Sequence, residues 1–356
     1  MGNVSTPSRI RRAIRIPAAV VTVIALLAVP ARATFPGANG KLVFSRQGRI
    51  FTMDPDGTDK SRLTGTGSDY SPAWSSDGDS IAFVRYSDAR SSIWVMNADG
   101  SARIRVSNYG RGFVQPPIWS TNGMWIAYWD AVDTAEGLTG AIWRVTPDGQ
   151  ERLRLTSYAS VNAVRGWSPD SAELAVESDR DGDSDVWVMN ADGSGKTKLT
   201  QNTVNDFGPQ FAPDGSRIVF YRNIPRGHGG GDKGTALWTM DPDGTDPLQL
   251  TDGSRFDLFP KWSPAGNWIG FRGDTFSQQT GSIVELYRIA PDGTQLKKLT
   301  GPETLALEFN WSPDSTKIAF VDKYRAIDVI EADGTGLQTL ATDPVSLGLP
   351  DWQALP

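Results

Sequence analysis

The sequence contains no cysteine and only one histidine, His228. Without cysteine there can be no disulfide, catalytic thiol or thiolate metal site, and one histidine cannot build a metal site from several imidazoles. His228 lies among glycines in a polar loop, where a histidine is typically solvated rather than catalytic. Several large classes of enzyme are therefore excluded.

The sequence also lacks an apolar run long enough to span a membrane. The apolar segment Ile16–Val29 covers 14 positions, whereas a spanning helix needs about 20. Four arginines precede it, and Ala31-Arg32-Ala33 follows as an A-x-A cleavage site. These features predict a signal peptide over residues 1–33, export to the periplasm or the extracellular space, and no stable membrane span after cleavage. The pair Arg11-Arg12 fits either twin-arginine export or an ordinary basic leader.

Positive charge is scarce in the remaining chain. Removal of residues 1–33 leaves 30 basic and 41 acidic residues, a net charge near −11. Binding to nucleic acid or to anionic lipid depends on clustered lysine and arginine, so neither partner is expected. The hydrophobic content of 39% is ample for a packed core.

What the sequence has in abundance is an internal repeat. Segments such as PAWSSDGDSIAF, PQFAPDGSRIVF and NWSPDSTKIAF recur, each with an aromatic anchor followed by an apolar strand. The anchors are Trp74, Trp119, Trp167, Phe211, Trp262 and Trp311. Their separations are 45, 48, 44, 51 and 49 residues, which is the period of propeller blades.

Each repeat continues with a third strand of the type IWVMN, a DG turn and a fourth strand ending in LT. The third strand with its turn occurs seven times, from IFTMDPDG to IDVIEADG. Four short strands joined by tight turns predict a small antiparallel sheet, which buries its apolar faces only by stacking against its neighbours. The anchor aromatics, and Trp94, Trp143, Trp187 and Trp238 on the third strand, are expected in the core.

The two ends of the chain complement each other. Residues 40–64 supply strands two to four of a repeat without an anchor strand, and the missing strand appears at residues 349–352 with Trp352. Pairing between them would remove both free sheet edges. We therefore predict an all-β fold: one domain over residues 34–356, a seven-bladed β-propeller of four-stranded antiparallel blades, with the ring closed by N- and C-terminal strands sharing one blade.

The units PxWSPDGxxIAF…IWVMNADGS…LT resemble those of the TolB-like family of β-propellers, whose repeats are related to WD-type repeats. The resemblance covers essentially the whole chain after residue 33. The family's namesake has a separate N-terminal domain and six blades, and neither feature matches this sequence. The resemblance implies a propeller scaffold but leaves a role in that protein's envelope complex open.

Three motifs suggest chemistry that their context does not favour. GSGKT at residues 193–197 looks like the end of a phosphate loop, but Asn190 replaces the first glycine and a strand follows instead of a helix. Aspartates in the DG turns, such as Asp99 and Asp192, occupy positions where Asp bonds the local backbone. The run of carboxylates from Asp179 to Asp185 resembles a calcium loop but lacks a distal bidentate Glu. We expect no cofactor, with calcium as the one open alternative.

Loop length identifies a candidate binding face. Residues 130–140, 223–235 and 273–282 form long, irregular loops on the side opposite the DG turns, and such variation marks a binding face. Polar and aromatic residues should gather there at the mouth of the central channel. The predicted ligand-binding residues are Asp69, Tyr70, Asn162, Asp206, Phe207, Asp257, Phe259, Glu308 and Asn310. Alternatively, the polar residues among them only cap the entering strands.

No catalytic residues are assembled in the sequence, and no G-x-S-x-G nucleophile motif occurs. The leading hypothesis is a secreted or periplasmic scaffold that engages a protein, peptide or glycan through the loop-rich face and channel mouth. An alternative is a carbohydrate-active hydrolase or lyase that uses mouth carboxylates such as Asp69, Asp206 and Asp257 as acid and base. A purely structural or sensory module is a third possibility, because propellers host many functions.

Overall fold

The computed structural model describes residues 35–65, 68–87, 90–108, 113–135, 137–159, 162–225, 232–277, 281–322, 326–342 and 350–356. All regular secondary structure in these residues is β-strand, which confirms the all-β class. The predicted signal peptide and His228 lie outside the described residues.

The described residues form 29 strands. In chain order they are β1 (Ala38–Arg46), β2 (Arg49–Met53), β3 (Ser61–Arg62), β4 (Ser68–Trp74), β5 (Ser80–Ser87), β6 (Arg90–Asn97), β7 (Ile104–Arg105), β8 (Phe113–Val114), β9 (Ile118–Trp119), β10 (Ile126–Thr134), β11 (Gly137–Val145), β12 (Arg152–Arg154), β13 (Asn162–Trp167), β14 (Glu173–Ser178), β15 (Asp185–Asn190), β16 (Thr197–Lys198), β17 (Asp206–Phe211), β18 (Ile218–Pro225), β19 (Asp232–Met240), β20 (Leu248–Gln249), β21 (Phe256–Trp262), β22 (Ile269–Ser277), β23 (Gly281–Ile289), β24 (Lys297–Lys298), β25 (Glu308–Trp311), β26 (Lys317–Val321), β27 (Ile327–Glu331), β28 (Gln338–Ala341) and β29 (Asp351–Leu355).

These strands build six sheets, which we number along the chain. Sheet 1 has the order β29-β1-β2-β3, sheet 2 contains β4–β7, sheet 3 β8–β12, sheet 4 β13–β16, sheet 5 β17–β24 and sheet 6 β25–β28. Strands that follow each other within a repeat pair antiparallel. Sheet 5 consists of two such four-stranded groups, β17–β20 and β21–β24, joined by one parallel bridge between Thr235 and Phe256.

The first and last strands of the chain pair in sheet 1, as the sequence predicts. Leu42 on β1 lies opposite Trp352 on β29, and Val43 lies opposite Asp351. Asp351 also reaches sheet 2, because its Oδ2 accepts a hydrogen bond of 2.8 Å from the backbone N–H of Trp74. The C-terminal strand therefore bonds to two sheets at once.

The hydrophobic core is divided into clusters that lie between neighbouring four-stranded groups. One cluster joins sheets 1 and 2 through Val43 and Trp74, and another joins sheets 3 and 4 through Trp129 and Trp167. A further cluster packs Ile327 and Val329 of sheet 6 against sheet 1. No sheet has to bury its apolar faces alone, which is the physical condition for folding such small units.

The anchor aromatics are the largest members of these clusters, and the predicted packing role is correct. The relative exposure of the seven anchors lies between 1% and 9%. Three indoles also reach the preceding group. Trp119 Nε1 donates to the carbonyl of Ala73, Trp167 Nε1 to that of Ile118 and Trp311 Nε1 to that of Lys261, each at 3.1 Å. Each such anchor combines apolar packing with a directional bond between groups.

The DG turns bond their own backbone, as the sequence indicates. Asp99 and Asp192 each accept the backbone N–H two residues later, at 2.8 and 2.9 Å, and bonds from Ser101 and Ser194 hold the pKa of these carboxyls below the usual range. GSGKT is one of these turns. Gly193 has a φ of 83°, and a side chain there would meet Leu155, so the glycine serves the turn.

The first prediction concerns the terminal strand. Trp352 is 1% exposed in the cluster between sheets 6 and 1. Trp352→Ala should lower the free energy of unfolding by about 3–5 kcal/mol, because it leaves a large cavity in that cluster. Urea unfolding followed by circular dichroism measures the change. Leu355→Ala on the same strand is the control, since Leu355 is 39% exposed. Equal losses in the two variants would contradict the role assigned to Trp352.

Candidate functional site

The antiparallel order of the strands places the connections on two opposite faces. Within each group, the hairpin between strands two and three shares one face with the link to the next group, and we call this the loop face. The turns between strands one and two and between strands three and four share the other face, the turn face. The three long segments of the sequence lie on the loop face.

The prediction that these segments are irregular is wrong in large part. Strand pairing continues to Thr134 opposite Gly137, to Pro225 opposite Asp232 and to Ser277 opposite Gly281. The segments are extensions of hairpins rather than free loops, because their backbone groups bond across the ribbon. In sheet 6 the corresponding strands have five residues each, so the three ribbons reach farther on the loop face.

Two predicted mouth carboxylates are buried in ion pairs. Asp69 and Asp206 have no exposed surface, and each accepts two bonds from an arginine on the neighbouring strand. Arg85 Nε and Nη2 lie 2.6 and 2.9 Å from the two carboxylate oxygens of Asp69, and Arg222 holds Asp206 at the same distances. These are bidentate contacts, in which the guanidinium matches the carboxylate.

Asp257 and Asn162 occupy the same repeat position but have different partners. Asp257 is buried, and its Oδ1 accepts a 2.5 Å bond from Nε of Arg255, the residue immediately before β21. Burial raises the pKa of Asp257 to about 6, against the opposing effect of Arg255. Asn162 is also buried, and its Oδ1 accepts bonds from Ser178 at 2.8 Å and Arg180 at 3.0 Å.

Asn310 and Glu308 lie at the start of sheet 6. Asn310 is fully buried, its Oδ1 accepts a 2.7 Å bond from Lys261 Nζ, and its Nδ2 donates to the Pro350 carbonyl at 2.9 Å. It thus connects sheets 5, 6 and 1. Glu308, the first residue of β25, is half-buried. None of these hydrogen bonds joins Asn310 to Asp257.

The predicted aromatic residues are more accessible than the carboxylates. Tyr70 is half-buried and meets Tyr86, which is 40% exposed, edge to face at 5.6 Å. Phe207 stacks on Tyr221 at 5.4 Å, and Tyr221 meets Phe259 at 6.0 Å. Phe207 and Phe259 are therefore brought together around one buried tyrosine, whereas Tyr70 belongs to a separate pair.

Sequence reasoning missed the arginines that cover the third-strand aromatics. Arg85 lies 4.4 Å from the Trp94 ring, Arg180 4.3 Å from Trp187 and Arg222 4.8 Å from Trp238. The predicted core position is correct in part: these tryptophans and Trp143 pack against the core clusters but are half-buried. A guanidinium lies over the ring of each of the three. Arg85 and Arg222 stand at the same position within the second strand of their repeats, and this recurrence is visible in the sequence.

In the acidic hairpin between β14 and β15, a lysine pairs with two of the four aspartates. Lys198 Nζ lies 2.6 Å from a carboxylate oxygen of Asp181 and 2.6 Å from one of Asp185. Its ammonium group thus holds two of the carboxylates that suggested a calcium loop. In the part of the chain that the structure describes, no group of three or more His, Cys, Asp or Glu side chains is arranged to hold a metal ion.

The described residues also contain no helix that is long and apolar enough to cross a membrane.

Comparison with known proteins relates the chain to bacterial propellers. Residues 116–229 match the TolB beta propeller domain family. An uncharacterized protein of Agrobacterium fabrum is 28% identical over 162 residues, which are 44% of this chain and 53% of that protein. The Tol-Pal system protein TolB of an Anaeromyxobacter species is 32% identical over 115 residues, 32% of this chain and 25% of that protein. The chain therefore spans between a quarter and about half of the length of these relatives.

Solved structures show the same fold at lower identity. A putative TolB from Agrobacterium tumefaciens superposes with a TM-score of 0.52 at 22% identity, covering 78% of this chain and 95% of that one. An oligogalacturonate lyase in complex with manganese reaches a TM-score of 0.62 at 16% identity, covering 83% and 85%. The propeller domain of the Trilobed protease from Pyrococcus furiosus reaches 0.61 at 14% identity, covering 88% and 97%. The fold is thus a β-propeller of four-stranded antiparallel units.

The second prediction uses the raised pKa of Asp257. Because this pKa lies above that of an unfolded aspartate, folding favours the protonated carboxyl. The resulting stabilisation is complete below about pH 4 and is lost as the pH rises through about 6. Asp257→Asn removes this dependence, so its free energy of unfolding relative to the wild type should increase between pH 4.5 and 7, as measured by urea unfolding.

Asp214→Asn is the control for this experiment. Bonds from the backbone and side chain of Ser216 hold the pKa of Asp214 below its usual range, so the carboxyl stays ionised in both states above about pH 4.5. Its difference from the wild type should stay constant over the same interval. A constant difference for Asp257→Asn as well would show that Asp257 does not titrate in this range.

Proposed function

We propose that this chain, which resembles TolB-like β-propellers, is an exported binding scaffold that engages a protein, peptide or glycan through its loop face and channel mouth. The N-terminal segment of residues 1–33 supports export to the periplasm or the extracellular space, since it has the composition of a cleaved signal. The net charge that remains after cleavage makes nucleic acid an unfavourable partner.

The scaffold in this proposal is a seven-bladed ring. Sheet 5 supplies two blades, and each of the other sheets supplies one. Three observations favour closure: β1 pairs with β29, Asp351 bonds to Trp74, and an apolar cluster joins sheet 6 to sheet 1. A closed ring leaves no long free edge and holds the loop-face hairpins in fixed positions.

The observation that carries the proposal is the contrast between the two faces. The turn face consists of short Asx-bonded turns, whereas the loop face bears three extended hairpins and the pair of the half-buried Tyr70 and the exposed Tyr86. Tyrosine is enriched in binding surfaces because it offers a large apolar ring and a polar hydroxyl. A glycan, peptide or protein loop could each use such a platform.

A carbohydrate-active hydrolase or lyase has less support. Such an enzyme needs two carboxyl groups that reach the substrate and exchange protons. Asp69, Asp206 and Asp257 each have no exposed surface and are each held by an arginine. The likeness to a lyase structure is at 16% identity and therefore concerns the fold alone.

The third prediction tests the loop face. The chain without its first 33 residues is immobilised and incubated with solubilised envelope and with peptidoglycan from the source cells, and retained components are quantified by mass spectrometry and glycan analysis. Replacing both Tyr70 and Tyr86 by serine should reduce specific retention at least about tenfold, because aromatic anchors contribute most of the binding energy in such surfaces.

Met124→Ser is the matched control. Met124 is 60% exposed, but it follows the turn between strands one and two of sheet 3 and so lies on the turn face. Its replacement should leave retention unchanged. Loss of retention in the Met124 variant with full retention in the tyrosine variant would move the binding surface to the turn face.

A further inference from the structure

A cleft opens between sheets 3 and 4, with a volume of about 360 Å³. The residues that line it are Leu155, Thr156, Ser157, Ala159, Asn162, Arg180 and Lys196. Two of these side chains are cationic, two are hydroxyls and one is an amide, and none of them is acidic. A lining with two cationic and no acidic side chains contrasts with the net negative charge of the chain. The volume lies within the range of small-molecule sites.

The positive charge of the cleft arises from two departures from the repeat: an asparagine stands at the aspartate position, and the arginine lies two residues after the position paired with it, which is Ser178 here. In sheets 2 and 5, Arg85 and Arg222 are each neutralised by a bidentate aspartate at the start of the first strand. In sheet 4 the corresponding residue is Asn162. Its amide oxygen bonds Arg180 Nη2 at 3.0 Å but brings no negative charge.

Arg180 is held firmly in this position. Its Nε donates to Ser178 Oγ at 3.0 Å, and its guanidinium lies 4.3 Å from the Trp187 ring. The bonds to Ser178 and Asn162 use two of the five N–H donors of a guanidinium, and the others have the planar geometry that suits an oxyanion. Ser178 and Asn162 are themselves buried, so the orientation of Arg180 is fixed before any ligand arrives.

Lys196 and the two hydroxyls complete the lining. Lys196 donates a hydrogen bond to the carbonyl of Gly193 in its own turn. Thr156 Oγ1 accepts the backbone N–H of Ile142 at 2.8 Å, which leaves its own O–H free to donate. Burial lowers the pKa of Arg180, with Asp181 opposing the shift, so desolvation of the guanidinium is not fully compensated.

We propose that this cleft binds the carboxylate of a small ligand, with Arg180 as the main contact and Lys196, Thr156 and Ser157 as supporting groups. The ligand supplies the negative charge that Asp69 and Asp206 supply in the other sheets. A carboxylate can come from an acidic sugar or from an acidic amino acid side chain, and the same guanidinium would receive either. The site is separate from the loop-face tyrosines and does not depend on the function proposed above.

The repeat itself provides the fourth prediction, Asn162→Asp. This change places a carboxylate where the Asn162 amide oxygen already bonds Arg180 Nη2, so the variant should fold normally while neutralising Arg180. Isothermal titration calorimetry of the full chain with glucuronate and with N-acetyl-aspartate, at low ionic strength, measures binding. The wild type should bind at least one of them saturably at one site, and Asn162→Asp should weaken this binding about tenfold or more, because a charge-assisted bond is lost.

Two further variants separate the site from general effects. Arg180→Gln should abolish binding. Asn122→Asp makes the same chemical change on the turn face, where other repeats already carry aspartate, such as Asp77 and Asp170, and it should bind like the wild type. Inorganic phosphate serves as a second oxyanion probe. The proposal is overturned if neither carboxylate binds saturably, if only phosphate binds, or if Asn162→Asp binds as the wild type does.

Discussion

The packing of each anchor aromatic against the preceding sheet is the interaction on which the structure depends. An anchor such as Trp119 or Trp311 fills the apolar cluster between two groups and donates its indole N–H to a backbone carbonyl across the gap. Neither group could bury its apolar face by itself, so stability resides mainly between groups. The terminal strand, with Trp352 and Asp351, extends the same interaction to the two ends of the chain.

The residues that stabilise the fold and the candidate binding residues lie in different parts of the structure. The core lies between the sheets and the turn face is fixed by local Asx bonds, so the loop face is free to vary. Near that face, arginine guanidinium groups lie over the half-buried tryptophans and form ion pairs with the carboxylates beside them. The carboxylates therefore do not form an open acidic surface, and the aromatic side chains and the cleft beside Arg180 are the proposed binding groups.

Much of the architecture could be predicted because the repeat encodes local and periodic features. The anchor spacing predicted the buried tryptophans, and complementary ends predicted the pairing of β1 with β29. The environment of the predicted site could not be predicted in the same way. Asp69 and Arg85 are 16 residues apart and meet only when two strands pair in register, and Phe207 meets Phe259 only through Tyr221 of another strand.

The sequence alone determined the strand order of the repeat, the DG turns and the identity of the anchors, because these depend on the residue types and their spacing along the chain; it did not determine how far the loop-face hairpins extend. Only the tertiary structure decided which polar residues are buried, since that depends on partners from other strands and sheets. Asn162 illustrates the difference. In the sequence it is one more polar residue before an anchor, and in the fold it is the position where an amide rather than a carboxylate bonds Arg180 beside a cleft.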